Sequence, residues 1–300
     1  MKAARRLELT WGRLQLLAMQ RSVTLVASLR GTVVQSPLGD LEVLSRVGRD
    51  PSLPPLVCVH GFGGDKETWL LLAASLGRER GLIMFDLPGH GRSQLPNHAV
   101  TIRRHADATL RVMDHLGVRR AILCGNSMGG GVALRLAADH PARVAALVLI
   151  ASVGSDVHHH AAVAAWREGP NPLIPAEHEI DEFLATALRG TTKIPRAVLR
   201  YVATTRARSA AKLHRLFEDF ASGHGAEGVP QELERLDMPT LVLHGELDAI
   251  VDRATAEQLT ARLPRAELHH LAHVGHAPQL EAPRRTARLL GAFLRRTAPI

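Results

Sequence analysis

One pentapeptide constrains this chain more than any other stretch: Gly125-Asn126-Ser127-Met128-Gly129. The apolar run Ala121-Ile122-Leu123-Cys124 before it reads as a buried strand, and Gly130 to Ala137 after it reads as a helix. G-x-S-x-G at a strand-to-helix junction is a nucleophile elbow, a turn so sharp that its central residue is held in a strained conformation. Glycines flank the serine because a β-carbon would collide with the crossing strand and helix. The turn lifts the Ser127 hydroxyl out of the sheet, at the positive end of the following helix. A free serine hydroxyl is a poor nucleophile, so this reading requires a base and an orienting acid elsewhere in the chain.

A chain of 300 residues accommodates one large α/β domain, or a core domain carrying an insertion. Hydrophobic residues make up 46% and aromatics only 3%, so the core is built from Leu, Val, Ala and Ile. The two cysteines, Cys58 and Cys124, lie inside apolar strand-like runs and read as buried thiols rather than a disulfide. The net charge of +8 invites a nucleic-acid reading, but lysine occurs only at positions 2, 66, 193 and 212. The excess is arginine spread along the chain. No dense basic run with interleaved aromatics occurs, so nucleic-acid binding is not expected.

At the N-terminus, Lys2, Arg5 and Arg6 precede Leu7, Leu9, Trp11, Leu14, Leu16 and Leu17, superficially like a signal peptide. Glu8, Arg13, Gln15, Gln20 and Arg21 interrupt the apolar run, which is too polar to be an h-region or to span a bilayer. Leu7, Trp11, Leu14 and Ala18 recur at helical spacing with basic residues on other faces. The expectation is a helix packed on the body of the protein. An interfacial membrane-binding helix through residues 7 to 21 is the alternative, and cytoplasmic residence the default.

Strand and helix patterns alternate beyond residue 30, which argues for a mainly parallel sheet covered on both faces. Thr32 to Gln35 and Leu41 to Val47 suggest a hairpin, and Leu56 to Val59, Leu82 to Phe85, Ala121 to Cys124 and Ala145 to Ile150 short buried strands. Helical patterns run over Thr68 to Leu76, Arg104 to Leu116 and Met128 to Asp139. The alternation breaks near Ala151 and resumes with Pro239 to His244, the strand Ala266 to Leu271 and the helix Pro283 to Arg296. The expected organisation is an N-terminal helical extension over 1–31, a core over 32–151 and 232–300, and a helical cap over 152–231. Helical patches at Glu179 to Leu188, Arg196 to Thr205 and Lys212 to Phe220, broken by prolines, fill that cap. His158 to His160 are adjacent residues that cannot readily share one ion in a helix, so they read as a solvated or hinge run.

An elbow serine takes its partners in the chain order Ser, Asp or Glu, His. Asp248 lies in the loop leaving the strand Leu241 to His244, and His276 in the loop after the strand ending near Leu271. Loops after parallel strands open on one edge of the sheet, so residues far apart in sequence can meet there. His276 would take the Ser127 proton, and Asp248 would hold the imidazole tautomer. Asp156 competes for the acid, His273 for the base; Glu246 and Asp252 read as surface or loop-fixing groups, His60 and His90 as braces in glycine-rich turns. Two backbone N–H groups, of Met128 and of Phe62 in His60-Gly61-Phe62-Gly63-Gly64, would form the oxyanion hole. One such donor is worth roughly 3–4 kcal/mol of transition-state stabilisation. No G-x-x-x-x-G-K-[ST] is present, and the G-x-G-x-x-G at Gly223 to Gly228 follows a helical patch rather than a strand, so a nucleotide cradle is not expected.

Five signatures in order resemble the α/β-hydrolase fold superfamily: His60 to Trp69, Asp86 to Ser93, the elbow, His244 to Asp248, and Gly275-His276. The resemblance covers about residues 32 to 151 and 232 to 298. It implies a mainly parallel eight-stranded sheet flanked by helices, with the insertion as cap. The His60 to Trp69 stretch is similar to bacterial carboxylesterases and lipases and to monoacylglycerol-lipase-like hydrolases. It implies a cofactor-independent serine hydrolase with no metal, acting on a small-molecule carboxylic ester. Asn126 in the elbow is shared with hydrolases that cleave carbon–carbon bonds of aromatic ring-fission products. Those carry Gly-Pro-Gly in the oxyanion loop and Trp after the histidine, where this chain has Phe62-Gly63-Gly64 and Ala277. That reaction is the second reading, and a non-catalytic binding module on the same fold the third. Serine at 127, where haloalkane dehalogenases and epoxide hydrolases place Asp, argues against both of those activities.

Overall fold

The computed structural model of the protein describes residues 2–155 (side chains from residue 6), 168–190, 192, 194–222 and 227–297. Asp156 and His158 to His160 lie outside the described residues.

A long helix, α1 (Lys2–Val26), precedes the hairpin β1 (Arg30–Val34) and β2 (Leu41–Arg46). The first strand starts two residues before the boundary expected at 32, because Arg30 already pairs with Ser45. There follow β3 (Leu56–Val59), a 3₁₀ turn Lys66–Trp69 leading into α2 (Leu70–Ser75), β4 (Leu82–Phe85), α3 (Ile102–His115), β5 (Ala121–Asn126), α4 (Met128–Asp139) and β6 (Val144–Ile150). The single helix expected over Thr68 to Leu76 is thus split, its first turn tightened where the Asp65 carboxylate accepts the Glu67 N–H at 3.0 Å.

Between β6 and β7 (Thr240–Gly245) the described residues form α5 (Ile180–Ala187), α6 (Arg196–Arg208) and α7 (Ala210–Ser222), and no strand. The chain closes with α8 (Arg253–Arg262), β8 (Ala266–Leu271), the short α9 (Pro278–Glu281) and α10 (Pro283–Thr297). Pro283 does not continue α9 into α10 as one helix, because a proline ring cannot accept the preceding helical turn.

The eight strands order as β1-β2-β4-β3-β5-β6-β7-β8, with the β1–β2 and β2–β4 pairs antiparallel and the other pairs parallel. The central strands are buried along their whole length, as parallel strands with helices on both faces must be. Alternation splits their side chains. Val57, Ile83, Leu123, Leu147 and Leu149 pack toward one core with Val112 and Leu136 of α3 and α4. Leu56, Cys58, Leu82, Ile122, Cys124 and Val148 pack toward a second core with Leu70 of α2 and Leu290 and Phe293 of α10. Cys58 and Cys124 face each other in register across β3 and β5 as buried free thiols, and burial pushes the Cys58 pKa well up. This arrangement sends the ends of β3, β5, β7 and β8 to one edge of the sheet.

Candidate active site

Ser127 occupies the turn between β5 and α4 with φ 55° and ψ −121°, the strained conformation expected of the elbow. A Cβ on Gly125 would lie 2.2 Å from the Gly129 oxygen, and one on Gly129 would lie 2.1 Å from the Val59 oxygen. No side chain fits at either position, which is why the motif has the glycines it has. The turn is locked by hydrogen bonds from Ser127 N to the Ile150 oxygen (3.0 Å) and from Gly130 N and Val153 N to the Ser127 oxygen (2.9 and 3.2 Å). Ser127 is 9% exposed, at the N-terminus of α4 and therefore in that helix's positive field.

Asp248 and His276 meet. His276 Nδ1 lies 2.9 Å from Asp248 Oδ2 and 3.1 Å from Oδ1, with the carboxylate side chain fully buried. Burial by itself would raise the Asp248 pKa. The His276 ring and the N–H donors of Val251 and Ile250, at 3.0 and 2.8 Å, outweigh it and hold the carboxyl below its usual range. The two loops are tied by Leu247 N to the Val274 oxygen at 2.9 Å. They are joined to the elbow through Asn126, whose Nδ2 donates to the Ile150 oxygen (3.0 Å) and the His276 oxygen (3.3 Å). Asn126, singled out in the sequence as a pointer to carbon–carbon cleavage, thus braces the loop that carries His276.

Of the competitors, Asp156 lies outside the described residues. His273, at φ 61°, is exposed, as are Glu246 and Asp252.

The loop after β3 lies against the elbow: a Cβ on Gly61 would be 3.0 Å from Ser127 Cβ. Leu87 N donates to His60 Nε2 at 3.0 Å, so the ring proton sits on Nδ1, which donates to the Gly61 oxygen at 2.8 Å. Gly64 N donates to the same oxygen at 3.1 Å. In a trans peptide the N–H opposes the C=O, so pinning the Gly61 carbonyl points the Phe62 N–H away from both donors. Burial lowers the His60 pKa, which keeps the ring neutral and this tautomer in place. His60 is therefore a loop brace, as its setting suggested. His90 is buried beside it, with ring centroids 5.2 Å apart.

Four further residues that sequence reasoning assigned no part in the site hold these loops. Asp86 accepts from Lys66 Nζ and Lys66 N, both at 2.7 Å, and from Arg92 N at 2.8 Å, with the Lys66 and Asp86 side chains 3% and 0% exposed. Arg206, from α6, donates Nη1 to the Phe62 oxygen (3.2 Å) and Nε to the Leu173 oxygen (2.8 Å) while lying 5.5 Å from the Phe62 ring centre. Among the described residues no carboxylate pairs with it, and burial lowers its pKa to about 10. Gly63 at φ 65° leaves room for it, since a Cβ there would sit 2.2 Å from Arg206 Nη1. Glu281 accepts Gly275 N (2.9 Å), Ala277 N (3.0 Å) and Gly190 N (2.6 Å), clamping both neighbours of His276. The only signal in the sequence was that Lys66 and Asp86 lie within the motif stretches and Glu281 five residues past His276; Arg206 had none.

Comparisons with known proteins agree with this architecture. The sequence model of the family described as alpha/beta hydrolase fold matches residues 54–283. The dihydrolipoyllysine-residue acetyltransferase component of the acetoin cleaving system of Pseudomonas putida is 33% identical over 261 residues, or 81% of this chain. The match spans 64% of that relative's length. The 2-hydroxymuconate semialdehyde hydrolase of Pseudomonas sp. (strain CF600) is 34% identical over 253 residues, 80% of this chain and 86% of the relative. Among solved structures, a bacterial membrane phospholipase A superposes with a TM-score of 0.87 at 28% identity, covering 96% of this chain and 93% of that one.

Proposed function

The chain belongs to the α/β-hydrolase fold family, and from that premise we propose that it is a serine hydrolase cleaving carboxylic esters through an acyl-enzyme. The observation that carries this reading is the buried Asp248–His276 pair, held beside an elbow that strains Ser127 at φ 55°. Asp248 accepts from His276 Nδ1, which leaves Nε2 as the basic nitrogen. Ser127 Oγ attacks the ester carbonyl as Nε2 takes its proton, and the carbonyl oxygen becomes an oxyanion facing the Phe62 and Met128 N–H groups. The tetrahedral intermediate collapses, and the imidazolium returns its proton to the leaving alcohol. Water, deprotonated by the same nitrogen, then attacks the acyl-enzyme and releases the carboxylic acid. Each step is proton transfer and acyl transfer on these side chains. The inserted helices α5 to α7 would act as the cap that selects the ester. The likeness to a phospholipase, an ester-cleaving enzyme, supports this substrate class.

The test is turnover of p-nitrophenyl butyrate, with Ser127→Ala expected to lower kcat by at least about 10⁴-fold. A fluorophosphonate probe should label the parent and not the variant. Equal turnover by the two would overturn the assignment of Ser127.

Carbon–carbon cleavage of a ring-fission product is the second reading, favoured by the 34% identity to 2-hydroxymuconate semialdehyde hydrolase. It predicts decay of the dienol chromophore of such a compound on adding the protein. Ester turnover without that decay dismisses it.

A further inference from the structure

Helix α1 carries apolar residues on two faces, one more than packing on a protein requires. Residues 7, 11, 14, 18 and 25 share one helical face, and that face points to solvent: Leu7 is 72% exposed, Trp11 59%, Leu14 53% and Leu25 78%. The opposite face touches the body. Gly12 is buried there so closely that a Cβ would lie 2.1 Å from the Ala197 oxygen of α6, and the Glu8 carboxylate lies 3.4 Å from Arg200 of the same helix. The helix's other end is fixed by Arg46, donating to the Ala27 oxygen at 3.2 Å, and by Arg78, donating to the Val26 oxygen. The helix expected to pack on the body does so, through Glu8, Gly12 and the half-buried Leu9, Leu16 and Val23, and leaves Leu7, Trp11, Leu14 and Leu25 outside.

Charge follows the same division. Glu8 is the only acidic side chain of α1 and it is turned inward to Arg200. Arg6, Arg13 and Arg21 are exposed alongside the apolar stripe. From Leu7 to Leu25 the stripe runs about 27 Å at 1.5 Å per residue. No helix among the described residues is long and apolar enough to cross a membrane.

We propose that this outward face of α1, Leu7, Trp11, Leu14 and Leu25 flanked by Arg6, Arg13 and Arg21, docks the protein in the plane of an anionic lipid surface. The apolar stripe enters the headgroup boundary with Trp11 as the amphipathic anchor, and the arginines meet lipid phosphates at its rim. Because α1 lies on α6, and α6 carries the Arg206 that holds the Phe62 loop, docking brings the inserted helices to the bilayer surface. The proposal is independent of which bond the site cleaves.

Sedimentation of the full chain with vesicles of phosphatidylcholine, with and without phosphatidylglycerol, tests it. The protein should pellet with the anionic vesicles and much less with the neutral ones. Leu7→Ser/Trp11→Ser/Leu14→Ser should lower the partition coefficient at least tenfold, and Arg13→Glu/Arg21→Glu should lower it severalfold at low salt. Both variants should keep the parent's thermal midpoint and its turnover of a soluble ester, readouts that separate loss of docking from loss of fold or of chemistry. Trp11→Ser alone, a single change at an exposed position, serves if the triple variant does not fold. Parent protein that stays in the supernatant with every vesicle, or variants that pellet as the parent does, would overturn the proposal. So would a lipid-free dimer that the same substitutions dissociate, since the stripe would then be covered by a second copy.

Discussion

The loop after β3 and the loop after β8 both border Ser127, and they are held in place by different kinds of contact. The β8 loop is anchored mainly from close by in sequence: Glu281 accepts the N–H groups of Gly275 and Ala277, and Asp248 lies one strand away. The β3 loop is fixed from the loop after β4, with Asp86 on Lys66 and Leu87 on His60, and from the inserted helices, with Arg206 on Phe62. In the loop that carries the moving proton, one nearby carboxylate thus holds both neighbours of the histidine. The loop proposed to receive the oxyanion is a meeting point of β4 and the inserted helices, so its geometry reports on the whole upper edge of the molecule.

The strongest way to break the contrast is Asp86→Ala. It leaves the buried Lys66 ammonium with only the Glu67 carboxylate at 3.7 Å, and unfolding free energy should fall by about 3 kcal/mol in urea titrations. A loss no larger than for an exposed ion pair would mean the β3 loop does not depend on this anchor.

Acid should also act on the β3 side first. His105, buried near His90 with ring centroids 5.7 Å apart, has its pKa lowered to about 3 by burial and the neighbouring His60. Burial lowers the pKa of His60 and His90 as well. With the folded pKa below the unfolded value near 6.5, the unfolded chain binds protons that the folded one refuses. Stability contributed by the neutral rings is complete above about pH 6.5 and is lost progressively as pH falls toward 3. Chemical unfolding measured across this range should show that decline, and His105→Phe should flatten it. An unchanged slope would remove His105 from the account.

Glu281→Ala leaves the N–H groups of Gly275 and Ala277 without their acceptor, an expected cost of about 1–3 kcal/mol. kcat should fall with it as His276 loses its fixed place, and Glu281→Gln, which keeps an acceptor oxygen, should restore part of both. The smallest expected effect is that of Arg206→Lys, which replaces a planar fork by a single ammonium. A roughly tenfold lower kcat, about 1.4 kcal/mol, with a nearly unchanged thermal midpoint would identify Arg206 as a positioning residue for the Phe62 loop. A fall in midpoint with kcat intact would make it structural only.

How much of this could be read from the chain depended on how local each cause was. Ser127 was legible because strand, turn glycines and helix are consecutive, and their steric conflict is resolved within a few residues. The central parallel strands were legible as short apolar runs, since burial on both faces leaves few polar positions. Asp248 and His276 were legible through chain order, because loops at one edge of a parallel sheet must gather. The helical character of α1 was legible too. Which face it would bury was not: Leu7, Trp11 and Leu14 make one apolar stripe and Leu9, Leu16 and Val23 another, and the contact with α6 needed the close approach that Gly12 allows. The roles of Lys66 and Asp86 were hidden although both lie in the motif stretches, because their pairing joins loops from different strands.

The sequence by itself determined the fold class, the elbow and the order of the reactive side chains, since local sterics and hydrophobic periodicity act wherever the chain goes. Tertiary structure decided which carbonyls face which donors around Phe62, that Arg206 reaches that loop, and that α1 turns Trp11 outward. The contacts of Arg206 with Phe62 and of Gly12 with Ala197 join segments more than a hundred residues apart, and they are set only when the helices pack on the finished sheet.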